Sequence, residues 1–376
     1  MSKRGQGEGT IGKTADGRWQ ARITLPGGKR KAYYGKTRKE AQEKMTEALR
    51  DLNKGVLPPT GRQTLGRFLA EWLTEWVKPS RRPRTYQSYE QMIRCHVLPS
   101  PLAGKLLTQL TPQQLQAFFN EKRRAEDKPG LSPRSVEYLH AIVRKALNHA
   151  LSLGLVGRNV ALLVELPRAV YDEVTPLTPA QAQAFLDVAS GHRLYAVYAV
   201  AVAMGLRQGE ALGLRWEDVD LEAGELVVRK QLQRIEGKLR LVEVKTARSR
   251  RQVSLPSVAV AALREHRTRQ KVERVRAGDL WEDTGLVFTT EIGTALDKGN
   301  LTRGFKCLLK QAGLPDVRFH DLRHTCASLL RAQGLDHRLI METLGHSQIG
   351  ITMSLYSHIY PAARREAADK IDEILH

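Results

Sequence analysis

Five short stretches in the second half of the chain hold side chains able to bind and activate a phosphate. Arg207 ends an apolar run in Met204-Gly205-Leu206-Arg207-Gln208-Gly209-Glu210. A guanidinium beside a buried helix needs an acidic partner, for which Glu210 is at hand, or an anionic ligand. Lys245 follows the alternating Leu241-Val242-Glu243-Val244 and precedes Thr246-Ala247-Arg248-Ser249-Arg250-Arg251. That spacing places it at a hairpin turn crowded with Lys238, Arg240, Arg248, Arg250 and Arg251. Such a cluster repels itself unless an anion lies near; a solvated basic loop is the other reading. In His320-Asp321-Leu322-Arg323-His324, His320 and Arg323 lie three apart and so share a helix face. An imidazole and a guanidinium on one face suit a phosphate. His320 and His324 also have the spacing of a zinc-protease helix, but that motif needs Glu at the second position, where Asp321 stands. Arg323 between the histidines disfavours a cation as well. Leu344-Gly345-His346-Ser347 sets a histidine at a helix break, where backbone N–H groups are free to face an anion. Tyr356, in Ser354-Leu355-Tyr356-Ser357-His358, follows ten residues later. Alone it reads as packing.

The elements that must position these groups occupy 376 residues, of which 41% are hydrophobic, enough for two or three domains. Sixty Lys and Arg against 40 Asp and Glu give a net charge of +20. That excess favours an anionic partner such as nucleic acid. Cys95, Cys307 and Cys326 are too few and too scattered for a disulfide framework. Met1 to Thr10 lacks the apolar stretch of a secretory signal, and the longest uncharged apolar run, Leu194 to Leu206, is too short to span a membrane. A soluble, cytoplasmic protein with no membrane partner is expected. Neither a Walker motif nor an acidic metal cluster occurs, so no metal and no cofactor are expected.

Residues 1–61 carry 14 Lys and Arg against six Asp and Glu. Strand-like runs at Gly9–Lys13, Trp19–Leu25 and Arg30–Tyr34 are separated by Asp16-Gly17 and Gly27-Gly28, both hairpin dipeptides. Thr37 to Glu40 reads as a capping box opening a helix to about Leu52. Alternation sets Arg22 on one face of this sheet and Trp19, Ala21 and Ile23 on the other. Residues 62–166 show helical periodicity, with starts at Thr85, Thr111-Pro112 and Ser132-Pro133. After a Pro-rich linker at 167–179, helices are expected near 179–190, 193–204 and 208–214. Glu225–Arg234 and Lys238–Leu255 then predict one small antiparallel sheet, and helical pattern runs from Ser257 to the C-terminus. The fold class is therefore multidomain and mainly α with small antiparallel β-sheets. The domains are 1–61, 62–166 and 167–376.

Taken in order, the five stretches resemble the tyrosine recombinase family, in particular phage- and transposon-type integrases. The resemblance covers the whole chain. It rests on Gly205 to Leu212, Lys245-Thr246 with Ser249-Arg250-Arg251, His320 to Thr325, Leu344 to Ser347 and Tyr356-Ser357-His358. Each string is weak alone; the five in order are specific. The resemblance implies a site-specific recombinase that cuts and rejoins double-stranded DNA through a covalent 3′-phosphotyrosine. It would integrate and excise a mobile element via a Holliday junction. Arg207 and Arg323 would clamp the scissile phosphate, Tyr356 would attack it, Lys245 would act as general acid and His320 as an acid/base group. His346 would donate to the phosphate.

The first domain is similar to arm-binding domains with a three-stranded sheet and a helix. The second resembles a helical, SAM-like core-binding domain, and the third is a mixed α+β tyrosine-recombinase catalytic domain. The last two would close as a C-shaped clamp on DNA. Implied partners are core-type and arm-type attachment sites, three further copies in a tetramer, a directionality factor (excisionase) and a host DNA-bending protein. The implied setting is the cytoplasm of a bacterial host, on DNA. Candidate DNA contacts are Arg22, Lys29, Arg30, Lys31, Tyr33, Arg248, Arg250 and Arg251; an equally good reading makes Trp19 and Tyr33 core. An amphipathic helix at Ala362–Leu375 would dock on a neighbouring copy. The rival functions are a non-catalytic or architectural DNA-binding protein and a type IB topoisomerase-like relaxing enzyme.

Overall fold

Period-two alternation near the N-terminus becomes a three-stranded antiparallel sheet of β1 (Thr10–Lys13), β2 (Trp19–Thr24) and β3 (Arg30–Gly35) in the order β1-β2-β3. The structure, a computed structural model, describes residues 9–24, 30–53, 63–123, 130–166, 175–244 and 250–345. The chain divides into two compact units, Met1–Tyr171 and Asp172–His376.

In the first unit, the sheet lays one face on α1 (Arg38–Asn53), burying Ala21, Ile23, Ala41, Met45 and Ala48 with Trp19 and Tyr33 against them. The start of α1 is capped from both sides. The Glu40 N–H donates to Thr37 Oγ1 at 3.2 Å, and the Lys36 N–H donates to the Glu40 carboxylate at 2.8 Å. The helical part of the unit comprises α2 (Leu65–Trp72), α3 (Lys78–Ser80), α4 (Pro83–Met92), α5 (Pro112–Arg123) and α6 (Pro133–Ser152). Thr111 and Gln114 form a reciprocal cap at 3.1 and 3.2 Å, so Pro112 sits where its missing N–H costs nothing. Leu65, Phe68, Leu69, Ile93, Leu115, Phe119, Leu139 and Val143 form the core of these helices.

The second unit is built around α8 (Tyr195–Met204), which is packed by α7 (Pro179–Ala189), α9 (Gln208–Leu212), α10 (Ser257–Ala277) and α12 (Asp321–Ala332). Its sequence, YAVYAVAVAM, is apolar all round, as a helix enclosed on every side must be. Its alanines let neighbours approach closely. Thr178 and Gln181 cap α7 reciprocally, at 2.9 and 3.2 Å. Two further helices, α11 (Lys298–Gln311) and α13 (His337–Leu344), follow among the described residues.

The expected single sheet is instead two. β4 (Val219–Asp220), β5 (Glu225–Val228) and β8 (Arg251–Ser254) form one in the order β4-β5-β8, and β6 (Lys230–Ile235) with β7 (Lys238–Glu243) forms the other. The apolar run therefore breaks at Arg229. The hairpin turn falls at Glu236-Gly237, whose φ values of 51° and 77° suit a tight turn of the kind two antiparallel strands require, and not at Lys245. Nor is the pattern after Ser257 helical throughout. Residues 281–297 hold positive-φ Gly285 and Gly293 and the isolated bridges Arg215↔Leu286 and Thr289↔Ala295.

Candidate active site

Three guanidiniums meet at the C-terminal end of α13. A helix leaves its last carbonyls without intrahelical donors and carries partial negative charge there, so cations gather at it. Arg251 Nε donates to the Thr343 carbonyl at 3.1 Å, Arg323 Nη2 donates to the Leu344 carbonyl, and Arg207 Nη2 donates to the Gly345 carbonyl at 3.3 Å. Three consecutive carbonyls thus collect arginines from β8, from α12 and from the start of α9.

Arg207 reaches this point because α8 stops abruptly. Gly205 takes the left-handed conformation, φ +59°, and redirects the chain. A Cβ there would lie 2.4 Å from Leu344 Cδ2 and 3.2 Å from Cys326 Cβ, so only glycine fits. Arg207 then leads into α9. Its Nη1 donates to Glu210 Oε1 at 2.7 Å and its backbone N–H donates to Oε2 at 3.2 Å. The Arg207 side chain stays 38% exposed, while Glu210 is only 3% exposed. Burial alone would push the Glu210 carboxyl up, but the Arg251 and Arg207 guanidiniums outweigh it and hold it below the usual carboxylate range.

Arg323, in the first turn of α12, is 2% exposed and donates through Nη1 to the Gly205 carbonyl at 2.7 Å. Burial, and then the charge of Arg207, pull its guanidinium down to about 9, with Glu210 opposing. It remains cationic at neutral pH. Asp321 is committed elsewhere: it accepts from the Arg318 N–H at 2.7 Å and from Arg318 Nη2 at 2.8 Å. The carboxylate that a zinc-protease reading would need is therefore held by a cation. Behind Arg323, burial pushes the Cys326 thiol up to about 12, which leaves it unreactive.

His320 precedes α12 and is exposed at the surface. Protein packed around its ring, then His324 at 5.5 Å between ring centroids and the Arg323 charge, push its pKa down to about 4. At neutral pH it is an uncharged imidazole, able to accept a proton. A bound phosphate would raise that value. In the strand cleavage that the resemblance implies, kcat/KM, which reports the free enzyme, is expected to hold from about pH 7 to about pH 5. Cleavage of a DNA duplex measured across that range checks this; an acid limb centred at the ordinary histidine value would contradict it.

Of the catalytic set expected from sequence, Arg207, His320 and Arg323 come together here. Lys245, His346 and Tyr356 lie outside the described residues, as do Lys29, Arg248 and the Ala362–Leu375 stretch. Among the expected DNA contacts, Arg22 and Arg30 stand exposed, and the pairings Arg22↔Ala32 and Thr24↔Arg30 set both on the open face of the N-terminal sheet. Lys31 and Tyr33 do not share that face. They lie opposite Ile23 and Ala21, on the side packed against α1, with Lys31 Nζ 5.6 Å from the Tyr33 ring centroid. Instead Gln20 and Tyr34 join Arg22: Gln20 Nε2 donates to Tyr34 Oη at 2.6 Å, and Arg22 Nε donates to Gln20 Oε1 at 2.8 Å. Strand parity across the pair was the signal for Tyr34. Arg250 is exposed, whereas Arg251 is half-buried, with only 7% of its side chain accessible, and pairs with Glu210 at 3.1 Å. It is not a surface cation of the loop.

The family profile described as "Phage integrase family" matches residues 176–363, and that of the phage integrase N-terminal SAM-like domain matches residues 64–123. The chain belongs to the phage integrase family of tyrosine recombinases. It is 32% identical over 363 residues to a XerC-like tyrosine recombinase of Caldanaerobacter subterraneus, with 92% of each chain covered. Its fold is similar to that of the Tn1549 transposon integrase in complex with a circular intermediate DNA (TM-score 0.69, 20% identity, 82% of this chain and 99% of that one). It is also similar to the lambda integrase tetramer bound to a Holliday junction (TM-score 0.57, 19% identity, 94% of this chain and 96% of that one). The integrase fold thus brings together the Arg207 and Arg323 strings, which are more than a hundred residues apart in sequence.

Proposed function

We propose that this integrase-family chain recombines duplex DNA at specific sites by transesterification at phosphorus. The Tyr356 phenol oxygen attacks the scissile phosphorus, the bond to the 5′-oxygen breaks, and a 3′-phosphotyrosine and a free 5′-hydroxyl result. A phenol has an ordinary pKa of about 10 and is a weak nucleophile until its proton is removed. The neutral His320 takes that proton. Lys245 delivers one to the leaving 5′-oxygen. Arg207 and Arg323, with His346, stabilise the charge that builds on the non-bridging oxygens, the guanidinium fork matching two of them. The new link keeps the energy of the phosphodiester. Reversal with the 5′-hydroxyl of another strand therefore exchanges strands without ATP, and the step as written uses no cofactor.

The convergence of Arg207 and Arg323 on one helix end, with an uncharged His320 close enough to feel both charges, carries this reading. The lambda integrase tetramer on a Holliday junction supports assembly of four copies around crossing duplexes, the Ala362–Leu375 stretch docking between them, and integration and excision of a mobile element. The open sheet face with Gln20, Arg22, Arg30 and Tyr34 supports an arm-type DNA site distinct from a core-type site. The domain divisions 1–61, 62–166 and 167–376 and the use of a directionality factor and a host DNA-bending protein belong to the same proposal. Among the described residues no helix is long and apolar enough to cross a membrane. Action on DNA in the cytoplasm of a bacterial host is the setting proposed.

A duplex captured covalently from a random-sequence library supplies the substrate for the test. The unaltered protein is expected to give a denaturation-resistant adduct. Tyr356→Phe is expected to bind the same duplex and give none. Failure of the unaltered protein to capture any duplex would overturn the proposal.

A further inference from the structure

We propose that Arg251 is a positioning residue for Arg207, acting through Glu210 and the end of α13 rather than by touching DNA. This rests on the recombinase reading above, in which Arg207 binds the scissile phosphate. Two supports hold the Arg207 guanidinium: Glu210 Oε1 at 2.7 Å and the Gly345 carbonyl at 3.3 Å. Arg251 bonds the first directly and the helix end that carries the second. Its Nη2 donates to Glu210 Oε2 at 3.1 Å, the oxygen that also takes the Arg207 backbone N–H. Its Nε donates to the Thr343 carbonyl at 3.1 Å, two residues before Gly345. Gly345 itself is built around it: a Cβ there would lie 3.1 Å from Arg251 Cδ and 3.2 Å from Nη1, at a backbone φ of +68°.

Burial separates Arg251 from its neighbour Arg250, which is exposed. The pairing Val228↔Arg251 ties its backbone to the sheet, so the guanidinium is presented from a rigid strand. The chemistry follows from the donor set. With Arg251 in place, each Glu210 oxygen meets a different guanidinium. Without it, both oxygens are open to the Arg207 fork, and a bidentate Arg207–Glu210 pair would hold the guanidinium away from a phosphate. Lysine at 251 keeps the charge but has no planar fork to bridge Glu210 and Thr343.

The test compares two forms of a captured duplex, one with the natural scissile phosphodiester and one with a methylphosphonate there. The methyl group removes the negative charge that Arg207 neutralises. On the phosphodiester, Arg251→Gln is expected to cleave on the order of 10²-fold more slowly than the unaltered protein, the effect of a displaced catalytic group. Duplex affinity should stay within about threefold, because no phosphate contact is lost. On the methylphosphonate the deficit should shrink at least about tenfold, in parallel with that of Arg207→Gln, since neither variant then lacks anything the neutral centre needs. Arg251→Lys should follow Arg251→Gln. Gly345→Ala, which crowds the Arg251 guanidinium without removing it, should show the same dependence on substrate and guards against misfolding of the first variant. Equal deficits on both substrates would mean a structural role only, and a loss confined to duplex affinity would mean a DNA contact; either overturns the proposal. An adduct from the unaltered protein alongside either result would leave the recombinase reading standing.

Discussion

Replacing Arg323 by Lys is expected to slow strand cleavage by at least about 10²–10³-fold, the cost of losing a preorganised donor to developing charge. Arg323 does two jobs at once. Its guanidinium donates to the Gly205 and Leu344 carbonyls, which lie at the two turns that frame the site. In the proposed reaction its remaining donors face the phosphate. An ammonium is a point charge with donors in no fixed plane, so it cannot span two carbonyls and a phosphate together. The buried carbonyl left without its charged donor costs about 1–3 kcal/mol of stability. Single-turnover cleavage of a captured duplex, with affinity measured beside it, checks the outcome. Affinity should change little, because one phosphate contact is a small share of a protein–DNA interface. Cleavage by Arg323→Lys at nearly the unaltered rate would contradict this account of the site.

Gly205→Ala is expected to destabilise the second unit strongly. The new Cβ would meet Leu344 Cδ2 at 2.4 Å, and the backbone is held at φ +59°. The left-handed conformation costs a non-glycine residue about 1–2 kcal/mol. Overpacking adds about 1–3 kcal/mol. In a unit of this size that sum lowers Tm on the order of 10 °C. The Gly205 carbonyl also accepts from Arg323, so displacement of this turn carries that guanidinium with it. Calorimetry of the variant, and of Gly205→Ala with Leu344→Ala, separates the two costs. The double variant should recover the steric part and keep the backbone part, giving a coupling between the positions. An unchanged Tm for Gly205→Ala would show that the turn is not constrained as described.

Much of the site was legible in the residue string because its chemistry needs particular side chains in a particular order. Arg207, His320 and Arg323 could be named, as could the helix start at Thr111-Pro112, because these rest on local spacing. What could not be read depends on pairing between distant segments. Arg248, Arg250 and Arg251 look alike in sequence. Only the β5–β8 register turns Arg251 inward to meet Glu210. Glu210 was foreseen as a partner for one arginine, and it serves two. In the N-terminal sheet, alternation set Arg22 outward correctly. Assigning Lys31 and Tyr33 needed the register across β2 and β3, which turns them toward α1 and leaves Tyr34 on the open face. The run from Glu225 to Arg234 read as one strand because both halves are strand-like. That its halves enter different sheets depends on which distant strand each one meets.

The most direct test of the central claim is the chemical identity of the link between this chain and DNA. A captured duplex is incubated with the full chain, the adduct is digested with protease and nuclease, and the nucleotide-bearing peptide is sequenced by mass spectrometry. The account predicts a single modified residue, Tyr356, joined to a 3′-phosphate, with an unmodified 5′-hydroxyl on the released strand. Attachment at any other residue, a link to a 5′-phosphate, or cleavage with no covalent intermediate would contradict it.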